Sequence, residues 1–383
     1  MDNLKIIFLT LLLTASGIPS GMAGVNGKQD ESQKPKSGSQ YAKQVLREEN
    51  MDFFLTDEAR RIGDQLLVWQ RATGGWPKNI DMVSPMTDAQ IKEVMAEKNR
   101  RDDSTTDNDA TNLQLAYIAR LYKATGDAKY LESFRLGVEY LLSGQYENGG
   151  WPQFWPEMHE YQPHITYNDD AMVNTMTLLR DIARGASPYD SDICDAAQKS
   201  RMQAAFDKGV ECILATQIVC DGVPTVWCQQ HDHETLLPAP ARTYELPSYC
   251  SQESAAIVRM LMEIPEPSPK VKTAVHAAMA WFDRNKLTGL SYRRVMTDGK
   301  WEAQLIEDPE SEMPIWARFY DLEQCRPFVC DRDGIPRRHL DEIGSERRNG
   351  YSWYNSRPAD LYSIYDSWAD KYDPDAKLNI SLR

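Results

Sequence analysis

Two clusters of Asp and Asn are the residues of this chain best suited to chemistry. They occupy 107–111 (DNDAT) and 168–172 (NDDAM), and each opens an amphipathic run that follows a Gly-Gly-Trp-Pro motif, at 74–77 and at 149–152. A helix N-terminus needs only one such residue as a cap, so the surplus of side-chain oxygens indicates a bound cation or an oriented substrate. Hard oxygen ligands favour Ca²⁺ over zinc or copper. Asp and Asn also collect in solvated turns, and this alternative stays open.

Cationic and aromatic side chains stand near these clusters along the chain. Lys78 directly follows the first Gly-Gly-Trp-Pro motif, and a later loop places Arg242 beside Tyr244 and Glu245. An arginine in such a loop either lines a cleft or is only an ion-paired anchor. The two acidic clusters and this loop are therefore predicted to meet at one end of the fold.

Metal-binding templates for softer ions do not occur in the sequence. The six His form no HExxH group, and the nearest grouping, at 231–233 (HDH), is interpreted as a loop that lies close enough to Arg242 to line the same cleft. All seven Cys lie in the second half of the chain, at spacings that fit no zinc template. An odd count leaves at least one thiol over in a monomer.

The elements that position these residues are predicted to be helices. From about residue 51 onward apolar residues recur at helical spacing, and the pattern predicts later helices at 172–183, 198–214, 251–262 and 271–281. A Gln and a Gly-rich turn end every second helix, which aligns Trp76, Trp151 and Val223 as equivalent positions. About three hairpins, each an inner helix followed by an outer one, close into an α/α toroid, the (α/α)3 barrel, with long loops at one end. The fold class is therefore predicted to be all-α.

The pattern changes after residue 288. Short strands are predicted at 292–295 and 303–306, and short helices at 314–321 and 340–346. This segment is expected to wrap the toroid and to place short β segments at its mouth.

The N-terminus and the charge limit the classes of function. Residues 1–23 read as a signal peptide, 24–48 as a polar linker and 49–383 as a single catalytic domain, which predicts export to the periplasm or the medium. The net charge of −14 argues against nucleic acid and anionic membranes as partners. No membrane insertion is expected after signal cleavage, and the protein is expected to be a monomer. An acidic polysaccharide would bind only if cations are concentrated at the site.

Taken together and in this order, the motifs resemble those of the family 10 pectate lyases. These are α/α toroid polysaccharide lyases that cleave α-1,4-linked polygalacturonate by Ca²⁺-dependent β-elimination, giving 4,5-unsaturated products. The matching stretches cover nearly the whole chain after the predicted linker, and they are 74–79, 107–111, 149–155, 165–173, 239–246, 316–322, 331–334 and 347–354.

The resemblance implies a catalytic arginine and a calcium site. Arg242 corresponds to the base that removes the C5 proton of the uronate, and Asp107, Asn108 and Asp169 correspond to the residues around Ca²⁺. Arginine is protonated at neutral pH, with a free pKa above ~12, so it acts as a base only if cations neutralise the carboxylate next to C5. An alkaline optimum is therefore expected, with water as the proton donor to the leaving oxygen.

The resemblance also implies further contacts with substrate. A second arginine grips substrate carboxylates, and Arg332 is our choice for it, with Arg318 as the alternative. Lys78, Tyr167 and Tyr244 are the other expected substrate contacts.

Two other functions remain open from the residues alone. One is a toroid glycoside hydrolase acting on uronate chains, with Asp107 and Asp169 as acid and base. The other is an exported carbohydrate-binding protein that stacks sugar rings on its tryptophans, namely Trp76, Trp151, Trp155 and Trp353.

Overall fold

Helices carry most of the fold. The structure is a computed structural model that describes residues 38–382; the predicted signal peptide and the start of the predicted linker lie outside the described residues. Within this range the α-helices are α1 Gly38–Leu46, α2 Asp57–Trp69, α3 Asp88–Ala96, α4 Asn112–Thr125, α5 Ala128–Ser143, α6 Ala171–Arg184, α7 Ala196–Thr216, α8 Ser251–Met262, α9 Pro269–Asn285, α10 Ser345–Gly350 and α11 Leu361–Tyr372. None of these described helices is both long and apolar enough to cross a membrane.

Three successive helical hairpins build the centre of the molecule. Helix α4 packs on α5, α6 on α7, and α8 on α9. The first helices of the hairpins also contact one another, α4 with α6 and α6 with α8, and α11 joins this inner row beside α8. The all-α class and the α/α toroid of three inner-then-outer hairpins, predicted from the sequence, are confirmed.

The local sequence explains where these helices start and stop. Helix α4 ends at Gly126, whose φ of 66° is the left-handed value that glycine adopts without strain. The carboxylate of Asp127 then accepts from the backbone N–H of Lys129 at 3.1 Å and caps α5. A reciprocal capping box between Asp195 and Gln198 opens α7.

A buried tryptophan follows each of the four outer helices α2, α5, α7 and α9. Each indole Nε1 donates to a carbonyl oxygen of the preceding outer helix, at 2.7 to 2.8 Å: Trp76 to Leu66, Trp151 to Leu141, Trp227 to Ile213, and Trp316 to Phe282. The prediction that Val223 is the third equivalent position is wrong, because Trp227 makes this contact and Val223 is exposed. The four repeat tryptophans therefore fasten the loops of the mouth to the outer helices.

Short strands join the loops at this end. They are β1 Ile165–Thr166, β2 Val219–Cys220, β3 Val223–Pro224, β4 Gln230–His231, β5 Tyr249–Cys250, β6 Leu290–Thr297, β7 Lys300–Glu307, β8 Trp316–Ala317, β9 Phe319–Tyr320, β10 Pro327–Cys330, β11 Pro336–Arg337 and β12 Tyr354–Asn355. One sheet has four strands in the order β11-β10-β9-β5, and the others are the pairs β1-β4, β12-β8, β2-β3 and β6-β7. The predicted strands at 292–295 and 303–306 are confirmed as parts of the β6-β7 hairpin.

Three segments differ from their predicted structure. The helix predicted at 314–321 is wrong, because the segment forms β8 and β9. Residues 314–320 are all buried, and a short buried run does not reveal its period. Only part of the helix predicted at 340–346 exists, as the 3₁₀ turn Leu340–Glu342 and the start of α10. Helix α11 lies beyond the last of the predicted elements, in a segment for which the sequence pattern indicates no helix.

Helix α1 begins inside the segment predicted as a linker. Its apolar face buries Ala42 and Leu46 in the core. Lys43 of α1 and Arg47, the residue directly after the helix, pair with Asp109 of the first acidic cluster at 3.2 and 2.8 Å. The division of the chain into signal peptide, linker and domain stays a prediction.

Candidate functional site

Two turns of the same backbone shape precede the inner helices α4 and α6. They are the 3₁₀ turns Asp107–Asp109 and Asn168–Asp170, and they contact each other. The second residues, Asn108 and Asp169, have left-handed φ angles of 54° and 50°. Asn and Asp tolerate this region best, yet it costs a non-glycine residue about 1–3 kcal/mol, and such strain is typical of functional sites. The fold thus joins the two acidic clusters, as the sequence predicts.

Asp107, in the first turn, keeps one carboxylate oxygen unpaired. The residue is 1% exposed, and its Oδ2 contacts Nζ of Lys78 and accepts from Nε2 of Gln153 at 2.9 Å. Its Oδ1 is buried and has no hydrogen-bond partner among residues 38–382. Because an unpaired buried carboxylate oxygen is costly, Oδ1 is suited to a ligand from outside the chain.

Asn168 holds the equivalent position in the second turn and is tied to a buried ion pair. Its Oδ1 contacts Nε2 of Gln229 and accepts from Nη2 of Arg318 at 3.2 Å. Arg318 is 4% exposed and pairs with the buried Glu253 of α8. Burial opposes the charge of Arg318, but Glu253 holds the pKa of this guanidinium well above its usual value. Arg318 therefore fastens the second turn to α8.

The carboxylates of the two turns repel each other. Burial raises the pKa of Asp169 to about 6, and the negative charge of Asp107 adds to this rise while Arg318 opposes it. Oδ1 of Asp169 lies 3.9 Å from Nη2 of Arg318, which only partly compensates its charge. A divalent cation would relieve this repulsion and would use the unpaired oxygen of Asp107. The carboxylate and amide oxygens of Asp107, Asn108 and Asp169 fit Ca²⁺, which prefers oxygen ligands.

Arg242 lies in the loop before β5, and the buried carboxylate of Glu245 holds its guanidinium in place. Its Nε and Nη2 donate to the two oxygens of Glu245 at 2.9 and 2.6 Å. The side chain of Arg242 is 43% exposed while that of Glu245 is 3% exposed, so the arginine is presented to solvent on a buried support. Burial opposes the charge of Arg242, but Glu245 outweighs it and raises the pKa of the guanidinium above its usual value.

Hydrogen bonds connect this arginine to the second turn. The hydroxyl of Tyr351 donates to Oε1 of Glu245 at 2.7 Å, and Nε2 of Gln229 lies 3.3 Å from that hydroxyl. Gln229 also contacts Asn168, so one network runs from the support of Arg242 to the acidic turns. Networks of this kind fix the relative positions of the groups they join.

A rim of further arginines surrounds Tyr244. The guanidinium carbons of Arg242 and Arg347 lie 5.1 and 4.6 Å from the Tyr244 ring centroid, and that of Arg332 lies 5.9 Å away. Arg332 and Arg347 share the carboxylate of Glu346. Three guanidinium groups around one ring make a local cationic surface on an acidic protein, suited to an anionic ligand.

The residues predicted to bind substrate occupy different environments. Arg332 is 63% exposed at the rim, and Lys78 is partly exposed beside Asp107. Tyr244 is buried and supports the arginines. Tyr167 is fully buried with its hydroxyl bonded to Thr216 at 2.7 Å, so the structure corrects its predicted role as a substrate contact.

One position of the repeat supplies two side chains that the sequence singles out, Lys78 and Arg318, and two that it does not, Gln153 and Gln229. The residue two places after each repeat tryptophan points a donor at the acidic turns: Lys78, Gln153, Gln229 and Arg318. The first two reach Asp107 and the last two reach Asn168. A Trp-x-Lys, Trp-x-Gln or Trp-x-Arg spacing in the sequence marks this position. The spacing is recognisable only when Trp227 and Trp316 are aligned with Trp76 and Trp151.

Comparisons with known proteins found a matching family model and similar solved structures. Residues 70–362 match the family described as pectic acid lyase. A solved structure of a family 10 polysaccharide lyase from Cellvibrio cellulosa is similar, with 30% sequence identity and a TM-score of 0.74 over 87% of this chain and 97% of that chain. A mutant of a family 10 polysaccharide lyase from the same organism, in complex with trigalaturonic acid, is 30% identical with a TM-score of 0.73 over 88% of this chain and 97% of that chain. No curated protein matches the chain.

Proposed function

The chain belongs to the pectic acid lyase family and is a polysaccharide lyase, and from this premise we propose that it cleaves α-1,4-linked polygalacturonate by Ca²⁺-dependent β-elimination with Arg242 as the base. The observation that carries the proposal is the network that joins Arg242, on its support Glu245, to the acidic turns. The trigalaturonic acid in the similar structure supports this substrate class. The products would be 4,5-unsaturated oligogalacturonides.

Asp107, Asn108 and Asp169 would hold the calcium ion. The unpaired Oδ1 of Asp107 and the raised pKa of Asp169 support this assignment. When bound, Ca²⁺ would neutralise the carboxylate next to C5 of the uronate and so acidify the C5 proton. The positive charge would also let an acidic protein bind an acidic polymer.

The residues of this chain bind and orient the polymer. Arg332 and Arg347, together with Lys78, present cations to the carboxylates of successive uronates. An arginine forms paired hydrogen bonds with a carboxylate, which fixes the sugar ring as well as attracting it. The ring of Tyr244 keeps the rim guanidinium groups in place.

In the proposed elimination, one proton is removed from C5 and one glycosidic bond is broken at C4. A nitrogen of Arg242 takes the C5 proton, the electrons of the C5–H bond form the C4–C5 double bond, and the C4–O glycosidic bond breaks. The leaving oxygen takes a proton from water. Glu245 orients the guanidinium through two hydrogen bonds but also stabilises its protonated form, so the active fraction of Arg242 is small at neutral pH. Activity is therefore expected to rise toward alkaline pH.

The hydrolase and binding-protein alternatives are not retained. The family is one of lyases, and Asp107 is compensated by Lys78 rather than placed as a free acid or base. Export to the periplasm or the medium, as residues 1–23 predict, remains part of the proposal, because a polymer outside the cell is its expected substrate. Cell fractionation with N-terminal sequencing of the mature protein would test it.

Ultraviolet absorbance tests the proposed reaction, because only elimination creates a conjugated C4–C5 double bond. Incubation with polygalacturonate at alkaline pH and Ca²⁺ should give a steady rise in absorbance that a chelator stops. New reducing ends without this absorbance would indicate hydrolysis and would refute the proposal.

A further inference from the structure

A group of three side chains outside the acidic turns has ligand atoms close enough together to bind one metal ion. His164, Asp232 and His233 each offer one ligand atom, and these atoms all lie within 4.8 Å of one another. Within residues 38–382 this is the one group of three or more His, Cys, Asp or Glu side chains with that property. None of the three has a role in the proposed elimination.

The pairing of β1 with β4 brings two of these residues together. The register sets Ile165 opposite His231, so the next residues, His164 and Asp232, meet at the end of this short ladder. Nδ1 of His164 lies 3.8 Å from Oδ2 of Asp232. Thr235 donates to the other oxygen, Oδ1, through its backbone N–H at 2.8 Å and its hydroxyl at 2.9 Å. The carboxylate is thus oriented by its turn, with Oδ2 toward the histidine.

The third side chain is fixed from the loop after α5. The ring of His233 stacks on that of Tyr146 at 5.2 Å, and its carbonyl oxygen accepts from Nδ2 of Asn148 at 2.7 Å. The Tyr146 hydroxyl in turn donates to the carbonyl oxygen of Pro163 at 2.8 Å, directly before His164. The cluster is therefore supported from both sides by rigid contacts.

Polar atoms of this cluster lack partners. Nδ1 of His164 and Nδ1 of His233 are both buried without a hydrogen-bond partner in the part of the chain that the structure describes. Burial lowers the pKa of His164, and the neighbouring His233 adds to this effect while Asp232 opposes it. A neutral imidazole is the form that binds metals.

We propose that His164, Asp232 and His233 bind a first-row transition-metal dication, with Zn²⁺ as the best match, at a site separate from the calcium site. Two imidazoles and one carboxylate form a known zinc ligand set, with the fourth position open to water. Ca²⁺ is disfavoured there, because it takes six to eight oxygen ligands. The bound ion would join the segment before β1 to the loop that runs from β4 toward Arg242, and so stabilise that loop.

Calorimetric titration of the full chain with ZnCl₂ after dialysis against a chelator tests the site. Uptake is expected even in saturating CaCl₂, which fills the calcium site, with a further rise in melting temperature above that in CaCl₂ alone. The variants His164→Gln and Asp232→Asn should weaken Zn²⁺ binding by about 10-fold to 100-fold or more, since even supporting residues of metal sites have effects of this size. Asp232→Asn retains Oδ1 for the Thr235 turn, so it is the variant less prone to misfolding.

His159→Gln is the matched control, because His159 is an exposed histidine in the same loop region. This variant should bind Zn²⁺ as the unsubstituted protein does, and all variants should melt alike in chelator. The Co²⁺ protein should show visible absorption bands of a four-coordinate ion, lost in both site variants. The proposal is overturned if the unsubstituted protein takes up no Zn²⁺, or if the two site variants bind it as tightly as the control.

Discussion

At the scale of single residues, the proposed base Arg242 depends on its contact with Glu245. The carboxylate engages two nitrogens of the guanidinium and is itself nearly inaccessible to solvent. This contact orients the proposed base and at the same time raises its pKa. Glu245 therefore orients Arg242 but reduces the fraction of it that is unprotonated, and the pH dependence of the rate measures this balance.

The variant Glu245→Gln should move the alkaline rise of kcat to lower pH. Removal of the negative charge lowers the pKa of Arg242, so a larger fraction of the guanidinium is unprotonated at any given pH. The maximal rate should fall, because one of the two orienting hydrogen bonds is weakened. The measurement is kcat against pH with polygalacturonate in saturating Ca²⁺.

Glu346→Gln is the control for this variant, since Glu346 pairs with the rim arginines Arg332 and Arg347. It makes the same chemical change without touching Arg242, and its profile should keep the position of the unsubstituted enzyme. A profile of Glu245→Gln that stays in place or moves to higher pH would contradict the proposed role of Arg242.

At the scale of the elements, the same helix–tryptophan–donor unit occurs four times. An outer helix ends, a buried tryptophan bonds back to it, and two residues later a donor reaches the acidic turns. The repeat explains how loops of unequal length deliver Lys78, Gln153, Gln229 and Arg318 to one place.

The variant Trp227→Phe tests whether the third tryptophan has the same structural role as the others, although the sequence does not align it with them. The change removes the indole donor to the carbonyl oxygen of Ile213, 2.7 Å away, from a fully buried site. The free energy of unfolding should drop by about 1–3 kcal/mol, measured by denaturant titration. Trp301→Phe, on the exposed β6-β7 hairpin, should change it by less than about 0.5 kcal/mol. Equal effects of the two substitutions would refute the structural role of the third tryptophan.

Sequence periodicity predicted the hairpins well and the mouth poorly. The helices of the three hairpins have clear caps and breaks, such as Gly126 with Asp127, so their existence could be predicted. The third tryptophan was missed because a Gly-containing turn at 221–224 imitates the earlier motifs four residues too early. The fourth was missed because the β6-β7 hairpin separates Trp316 from its helix.

The candidate site shows the same limits. The acidic turns could be identified because the surplus of Asp and Asn is visible in sequence. Gln229 could not be identified as a link, because its partners Asn168 and Tyr351 lie far away along the chain. Tyr167 adjoins the second turn in sequence but points into the core. Proximity along a loop does not give the direction of a side chain.

At the scale of the whole molecule, the protein is acidic and its proposed substrate is an acidic polymer as well. The net charge is −14, and the three guanidinium groups around Tyr244 place positive charge at the proposed site. Binding is therefore expected to require Ca²⁺, in contrast to a basic protein whose polyanion binding merely weakens with salt.

Calcium affinity should fall as the pH drops through about 6, the raised pKa of Asp169. Because the fold favours the protonated acid, the contribution of Asp169 to the stability of the metal-free protein is present at acid pH and is lost as the pH rises through about 6; below this pH Ca²⁺ must displace a proton. Calorimetric titration between pH 5 and 8 should show a loss approaching tenfold per pH unit at the acid end, as release of one proton requires. In Asp169→Asn the affinity should be lower and this pH dependence weaker; an unchanged dependence would exclude Asp169 as the titrating ligand.

The central claim is that Arg242 removes the C5 proton, and the most direct test compares turnover with binding in Arg242→Ala. The absorbance assay for unsaturated product should show kcat reduced by about 10²–10⁴-fold, the usual contribution of a general base. Ca²⁺-dependent binding of trigalacturonate, measured by calorimetry, should be largely retained. The same change at the rim, Arg332→Ala, should raise KM with kcat nearly unchanged. Unsaturated product formed by Arg242→Ala at the rate of the unsubstituted enzyme would contradict the account.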